Sequence, residues 1–413
     1  MSQNYAKPNK SVYVDSPLDA FGRVKVAMPD PLFDNMSEYG NNLFFWETLV
    51  SGSGTVATVA NNCAVRLSTG GTTSGHYAYR ATRQYMRYQP GRSLNIETTF
   101  VMSAAQTAAR ARIGYFDASN GIFFERSAST LNIVRRTNVT GTPTDTTVAQ
   151  TSWNIDTFSA TAPNPSGITL DVTKAQILFI QLQFLGVGRV QVGFVIDGVP
   201  YVAHEFLNTN SLATVYMSTG CLPVRGEVQN TGTAGGTVTM DMFCTSVSSG
   251  GSGAQKVPRT TQNITGASTT TTLTPIISIR AATLYGGTGG GGSIVNRGHI
   301  QLEDFSLYVT SQPHAWAIIL NPTLTGASWV AVGADSIADY DVSSTSYTGG
   351  TVLERGMIAA SASVRASVDN GLRGILPLVY TGLNSTQDIV TLAARTFSST
   401  GSAYATINWF EEY

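Results

Sequence analysis

Cleaving a glycosidic bond takes two carboxyl groups held on either side of it, and this chain offers several candidates: Glu47, Glu97, Asp117, Glu125, Asp197, Glu205, Glu303 and Asp304. No spacing among them selects a pair. Asp117 and Asp197 already belong to turns, in DASNG and in DG. The four histidines, His76, His204, His299 and His314, include no two at metal-ligand spacing and no HExxH string. His204 falls on the apolar face of an alternating segment, where a satisfied core or rim histidine is expected. The three cysteines, Cys63, Cys221 and Cys244, are also too far apart for a zinc site, and an odd number cannot complete a disulfide framework. A Cys221–Cys244 pair is conceivable, but buried free thiols are the expectation. The glycine run Gly286–Gly292 lacks the Gly-Lys-Ser/Thr of a phosphate loop and reads as a mobile hairpin tip able to touch a neighbour or a host surface. No Gly-x-Ser-x-Gly elbow occurs. The expectation is a chain with no catalytic residues, no metal and no cofactor, and therefore not an enzyme.

Two segments suit binding better than reaction. The first interleaves aromatics with arginines: Tyr77, Tyr79, Arg80, Arg83, Tyr85, Arg87, Tyr88 and Arg92. Tyr79, Arg83, Tyr85, Arg87, Tyr88 and Arg92 could anchor a protein interface or stack on a glycan. Equally, the segment could be a strand pair with a tyrosine core face and a solvated arginine face. The second is Asp19–Val26, DAFGRVKV, within a polar stretch of some thirty-five residues. Asp19 and Gly22 make a turn, Phe21 is an anchor, and Arg23, Val24, Lys25 and Val26 alternate as a strand that could add to a free sheet edge. A frayed terminus containing one strand is the plainer alternative.

Composition narrows the function classes. The 413 residues suffice for two or three domains with real cores. Only 12% are charged and the net charge is −1, which leaves no surplus to neutralise phosphates and argues against nucleic acid as a partner. A hydrophobic content of 42% argues against disorder. A neutral, weakly charged surface of Ser, Thr, Asn, Gln and Gly suits a subunit largely covered by its neighbours. The first ten residues are polar, and no apolar run reaches the length of about 18 residues that spans a membrane. A soluble protein made in a reducing cytoplasm, with no membrane partner, is expected.

The elements that must position these residues are strands. Leu178, Ile180, Leu182 and Phe184 alternate, as do Val190, Val192, Phe194 and Ile196, and Asp197-Gly198 is a two-residue hairpin signal leading to Val202, His204 and Phe206. Leu94–Phe100, Ile113–Phe116 and Ile122–Glu125 repeat the pattern. The fold class expected is all-β: an extended arm over residues 1–35, a β-sandwich over 36–247, a Gly/Ser linker over 248–253 and a second β-sandwich over 254–413. In the last part, 276–279, 300–309, 316–320, 329–332 and 403–409 read as strands, while 352–366 has some helical character without a clean apolar stripe. The hairpin Phe194–Gly198 resembles the late strands of concanavalin-like jelly rolls.

DAFGRVKV resembles the N-terminal motif of a set of tailed-bacteriophage virion structural proteins. Thr82–Ser93, TRQYMRYQPGRS, is similar to the aromatic, basic, Pro-Gly segment that follows the motif in those proteins, and Thr274–Arg280, TPIISIR, to the segment that opens their C-terminal part. The order and spacing of the three agree. The resemblance implies a non-enzymatic virion protein, assembled in the host cytoplasm and present in many copies as a homo-oligomer. Its arm would dock on other virion structural proteins through Asp19, Phe21, Gly22, Arg23, Val24 and Val26. Tail, collar or sheath is the implied position. Head-shell decoration, or a module that binds a host surface glycan or receptor, is the alternative.

Overall fold

Period-two alternation interrupted by Gly, Asn and Asp gives short antiparallel strands, because each interruption supplies a backbone conformation that ends a ladder. The computed structural model describes residues 29–251, 253, 255–287, 293–367 and 377–413. Asp19, Phe21, Gly22, Arg23, Val24 and Val26 lie outside the described residues, as does most of the Gly286–Gly292 run. The chain divides into two compact units after Gly253.

The first unit contains β1 (Asp30–Met36), β2 (Trp46–Ser51), β3 (Thr55–Val59), β4 (Ala64–Ser68), β5 (Tyr77–Thr82), β6 (Leu94–Met102), β7 (Ala109–Phe116), β8 (Gly121–Ser127), β9 (Thr130–Thr137) and β10 (Thr144–Ala149). It continues with β11 (Gln176–Leu182), β12 (Val190–Ile196), β13 (Val199–Phe206), β14 (Val224–Asn230) and β15 (Thr239–Ser249). One sheet runs β13-β12-β11-β6-β15-β4-β3, with β1 also on β15; the other runs β10-β9-β8-β7-β14-β5-β2. This is the jelly-roll-like sandwich that the alternation predicts. The β12–β13 turn is the Asp197-Gly198 hairpin, both residues having positive φ, 51° and 80°. In the β7–β8 turn the Asp117 carboxylate accepts the backbone N–H groups of Ser119 and Asn120, each at 2.7 Å.

Inward-facing residues of both sheets form one core. At its centre Phe124 of β8 meets Phe194 of β12 edge to face at 5.5 Å, and Phe194 meets Phe158 at 5.8 Å. Trp153 closes the cluster and donates its indole N–H to the Val148 carbonyl at 3.2 Å. His204 is buried, as its place in the pattern implies. Its Nδ1 accepts the Asn154 N–H at 3.3 Å, and burial lowers its pKa to about 4, so the ring is neutral.

Three expectations need correction. The sandwich begins at Asp30 rather than at residue 36: β1 pairs with β15 from Asp30↔Ser249 to Met36↔Cys244, and Phe33 is buried edge-on against Trp46 at 5.6 Å. The linker begins after Ser249, because Ser248 and Ser249 are paired with β1 on one side and β6 on the other. Composition suggested flexibility there, but ladder bonds override it. The cysteines are not buried: Cys63 and Cys221 are half-buried and Cys244 is exposed.

The second unit contains β16 (Val257–Thr269), β17 (Thr274–Ala281), β18 (His299–Thr310), β19 (His314–Leu320), β20 (Thr323–Thr325) and β21 (Val330–Ala331). The rest are β22 (Ala338–Asp341), β23 (Ser346–Thr348), β24 (Thr351–Ile358), β25 (Ser363–Ser367), β26 (Ile389–Thr396) and β27 (Gly401–Glu412). A four-stranded sheet, β16-β27-β18-β25, and a six-stranded sheet, β21-β22-β17-β26-β19-β24, bury a core that includes Trp409 and the Phe305–Trp316 pair at 4.8 Å. Residues 352–366 are not helical. They form most of β24 and β25, because β24 pairs along β19 and long-range pairing outweighs the helix propensity of small residues. Among the described residues no helix is long and apolar enough to cross a membrane.

Candidate functional site

The most heavily functionalised surface of the first unit is the side of the seven-stranded sheet turned away from the core. Its residues follow from alternation. On β7, Ala109, Ala111, Ile113 and Tyr115 enter the core, so Arg110, Arg112 and Phe116 take the other face. The same reasoning places Phe123 and Glu125 of β8, Asn132, Val134 and Arg136 of β9, Arg225, Glu227 and Gln229 of β14, and Tyr77 and Tyr79 of β5 beside them. Register then aligns one polar row across five strands: Tyr79↔Glu227, Glu227↔Arg112, Arg112↔Glu125 and Glu125↔Asn132.

Charges along this row are paired. Arg112 Nε lies 2.6 Å from Glu125 Oε2, and its Nη1 lies 3.8 Å from Glu227 Oε2. Arg225 pairs with the other oxygen of Glu227. Arg136 grips Asp145 of β10 with two hydrogen bonds, at 2.7 and 2.8 Å. Burial alone would raise the Asp145 carboxyl, but the hydrogen bond and charge of Arg136 hold it below the usual range. Arg112, Glu125, Arg225 and Glu227 are all nearly buried. Guanidinium groups also cover the rings: Arg112 and Arg136 lie 5.0 and 5.3 Å from the Phe123 centroid, and Arg225 lies 4.9 Å from Tyr79.

Next to this lattice is a polar-aromatic platform. The rings of Tyr77 and Tyr79 stack at 4.4 Å and 18°. Gln229 Oε1 accepts the Tyr79 hydroxyl at 3.1 Å and two guanidinium N–H groups of Arg110, at 3.1 and 2.6 Å. Burial, and then the Glu227 charge, raise the Tyr79 pKa, so the phenol stays protonated. Flat rings beside an amide and a guanidinium can stack on and hydrogen-bond a planar or ring-shaped ligand. The carboxylates in the row are engaged as acceptors of arginine, an arrangement that suits cohesion more than proton transfer.

Only Tyr79 of the six Tyr/Arg segment residues singled out from the sequence stands on this face. Tyr85 and Tyr88 are buried, and Tyr88 packs edge-on against Phe184 at 5.6 Å while its hydroxyl accepts the Leu185 N–H at 3.3 Å. Arg83, Arg87 and Arg92 are half-buried. Arg80 lies in the interior, 3.9 Å over the Trp46 ring, and burial lowers its pKa to about 9. Arg110, Arg112, Arg225 and Glu227 were not foreseen, although ARARI and VRGEVQ carry the signal: arginine and glutamate alternating with core-forming residues on strands.

A second surface is apolar. At the end of β1 and in its connection to β2, Met36, Tyr39, Leu43 and Phe44 are 51%, 88%, 64% and 47% exposed. Tight backbone bonds, Gly40 N–H to Ser37 O at 3.1 Å and Trp46 N–H to Asn42 O at 2.9 Å, hold this segment folded.

No family model matches the chain, and no curated protein matches its sequence. Solved structures resemble it over about half its length. A glycoside hydrolase family protein from Mycobacterium thermorestibile is 11% identical, with a TM-score of 0.37 over 52% of this chain and 99% of that one. A legume lectin-like domain from Entamoeba histolytica is 7% identical, with a TM-score of 0.33 over 54% and 98%. A carbohydrate esterase of the Shiga toxin-encoding bacteriophage phi24B is 11% identical, with a TM-score of 0.30 over 54% and 99%. At these scores none of them bears on a site or an activity in this chain.

Proposed function

We propose that this chain is a non-enzymatic structural subunit of a tailed-phage particle, present in many copies in the tail, collar or sheath. Its N-terminal arm grips a neighbouring virion protein, and its sandwiches fill space between copies. The observation that carries this reading is the exposed apolar group Met36, Tyr39, Leu43 and Phe44 at and just after the end of β1, the strand that follows the arm. Large apolar side chains grouped in one short, folded segment favour cover by a partner, and β1 links them in sequence to the arm. The three phage-like strings and the nearly neutral composition support the same reading.

Removing residues 1–28 leaves β1 and the buried Phe33 in place and so tests the arm without opening the sandwich. The truncated chain keeps its β circular dichroism and its melting temperature, but joins particles at least about tenfold less in a complementation assay, the loss of one good anchor. Normal incorporation refutes the docking role.

Stacked Tyr77 and Tyr79 favour a second reading, contact with a host surface glycan at the edge of the sheet face. On this reading Tyr79→Ala weakens retention of the full chain on its best glycan-array ligand by about tenfold, a loss of about 1.4 kcal/mol. An array with no signal above background removes this reading and leaves the structural one standing.

A further inference from the structure

β15 changes partners along one of its edges. From Thr239 to Met242 it pairs with β4, and from Cys244 to Ser249 with β1. At the changeover its ladder with β6 also shifts register, between Met242 and Thr245. Beyond Met242↔Val65 the chain brings Cys63, the last residue of the turn before β4, alongside Cys244, whose own ladder partner is Met36. The Cys63 side chain is near enough to Cys244 to act on its thiol. Cys63 has a φ of 46°, a left-handed conformation usually held by Gly, Asn or Asp. Cys244 is exposed and Cys63 half-exposed, so a small oxidant can reach them.

We propose that Cys63 and Cys244 are an oxidation site, closing to an intramolecular disulfide when the chain meets a low-molecular-weight disulfide such as oxidised glutathione. The exposed Cys244 attacks as thiolate, forms a mixed disulfide and releases one glutathione. The Cys63 thiolate then displaces the second glutathione from Cys244. The two cysteines lose two protons and two electrons in total, and the oxidant gains them as two glutathione thiols. Cys221 takes no part. The bond ties the β3–β4 hairpin to β15 beside Met36, at the end of β1. A chain made reduced would therefore gain this link only after leaving the cytoplasm. Burial and the neighbouring Cys63 raise the Cys244 thiol pKa, so closure speeds up as pH rises towards it.

The test uses the full chain equilibrated with excess oxidised glutathione, blocked with an alkylating agent and analysed by intact mass and non-reducing peptide mapping. The expected result is a monomer lighter by two hydrogens, with one linked peptide pair containing Cys63 and Cys244 and with Cys221 alkylated. Cys63→Ser should stop at the mixed disulfide and carry one glutathione on Cys244. Closure should also raise the melting temperature of the first unit by several degrees, reversed by reductant. Cys63 and Cys244 both alkylated after equilibration, a link through Cys221, or a disulfide-linked dimer in the unmutated chain would each overturn the proposal.

Discussion

Arg112→Ala lowers the stability of the first unit by about 3–5 kcal/mol, because it breaks a buried ion cluster by removing one sign of charge. Arg112 stands between Glu125 and Glu227, and the three residues are 6%, 7% and 4% exposed. Without it Glu125 keeps only the Asn132 amide at 3.3 Å, a weak replacement for a guanidinium at 2.6 Å, while Glu227 still has Arg225. Glu125 therefore becomes a buried carboxylate without its ion-pair partner, with Arg110 and Arg136 acting on it only at longer range, which accounts for most of the cost. The measurement is the urea midpoint of the first unit, with the second unit's transition as internal control. The double variant Arg112→Met, Glu125→Gln removes both charges and should recover more than half of the loss. An Arg112→Ala midpoint within error of the parent would mean that the lattice contributes nothing to cohesion.

Phe194→Ala is expected to cost a similar amount, about 3–5 kcal/mol, for a different reason. Phe194 is fully buried and touches Phe124, Trp153 and Phe158, so it joins the two sheets through the aromatic centre of the core. Truncation removes apolar burial and leaves a void that three rings from different elements cannot close together. Phe194→Leu retains most of the volume and should lose less than half as much. Thermal melts followed by near-ultraviolet circular dichroism report both variants, because the same ring cluster dominates that signal. Equal losses for Ala and Leu would show that ring geometry, rather than filled volume, holds the sheets together.

The sandwich was legible because alternation is a local property. Leu178, Ile180 and Leu182, or Val190, Val192 and Phe194, state which side is buried before any partner strand is known, and Asp197-Gly198 states where the chain reverses. The boundaries at Asp30 and Ser249 were less legible. Whether a polar stretch such as Ser248-Ser249 is strand or linker depends on free ladder positions on β1 and β6, remote in sequence. The charged lattice was hidden for the same reason. Arg112, Glu125 and Glu227 meet only through the register of β7, β8 and β14, and no spacing along the chain encodes that meeting. In the Tyr/Arg segment, composition could not separate Tyr79, on the sheet face, from Tyr85 and Tyr88, inside. The chain leaves regular strand after Thr82, and the period-two rule ends there.

The β1–β15 pairing has a mechanical consequence. Residue 30, where the arm enters, lies opposite Ser249, where the chain leaves towards the second unit, so both connections emerge from the same end of the ladder. Tension between arm and second unit therefore opens this ladder like a zipper, one pair after another, instead of loading all its hydrogen bonds at once. β15 stays in place because β6 holds its other edge. The strand that peels is β1, and the Phe33 ring wedged against Trp46 is the catch where the tear must pause.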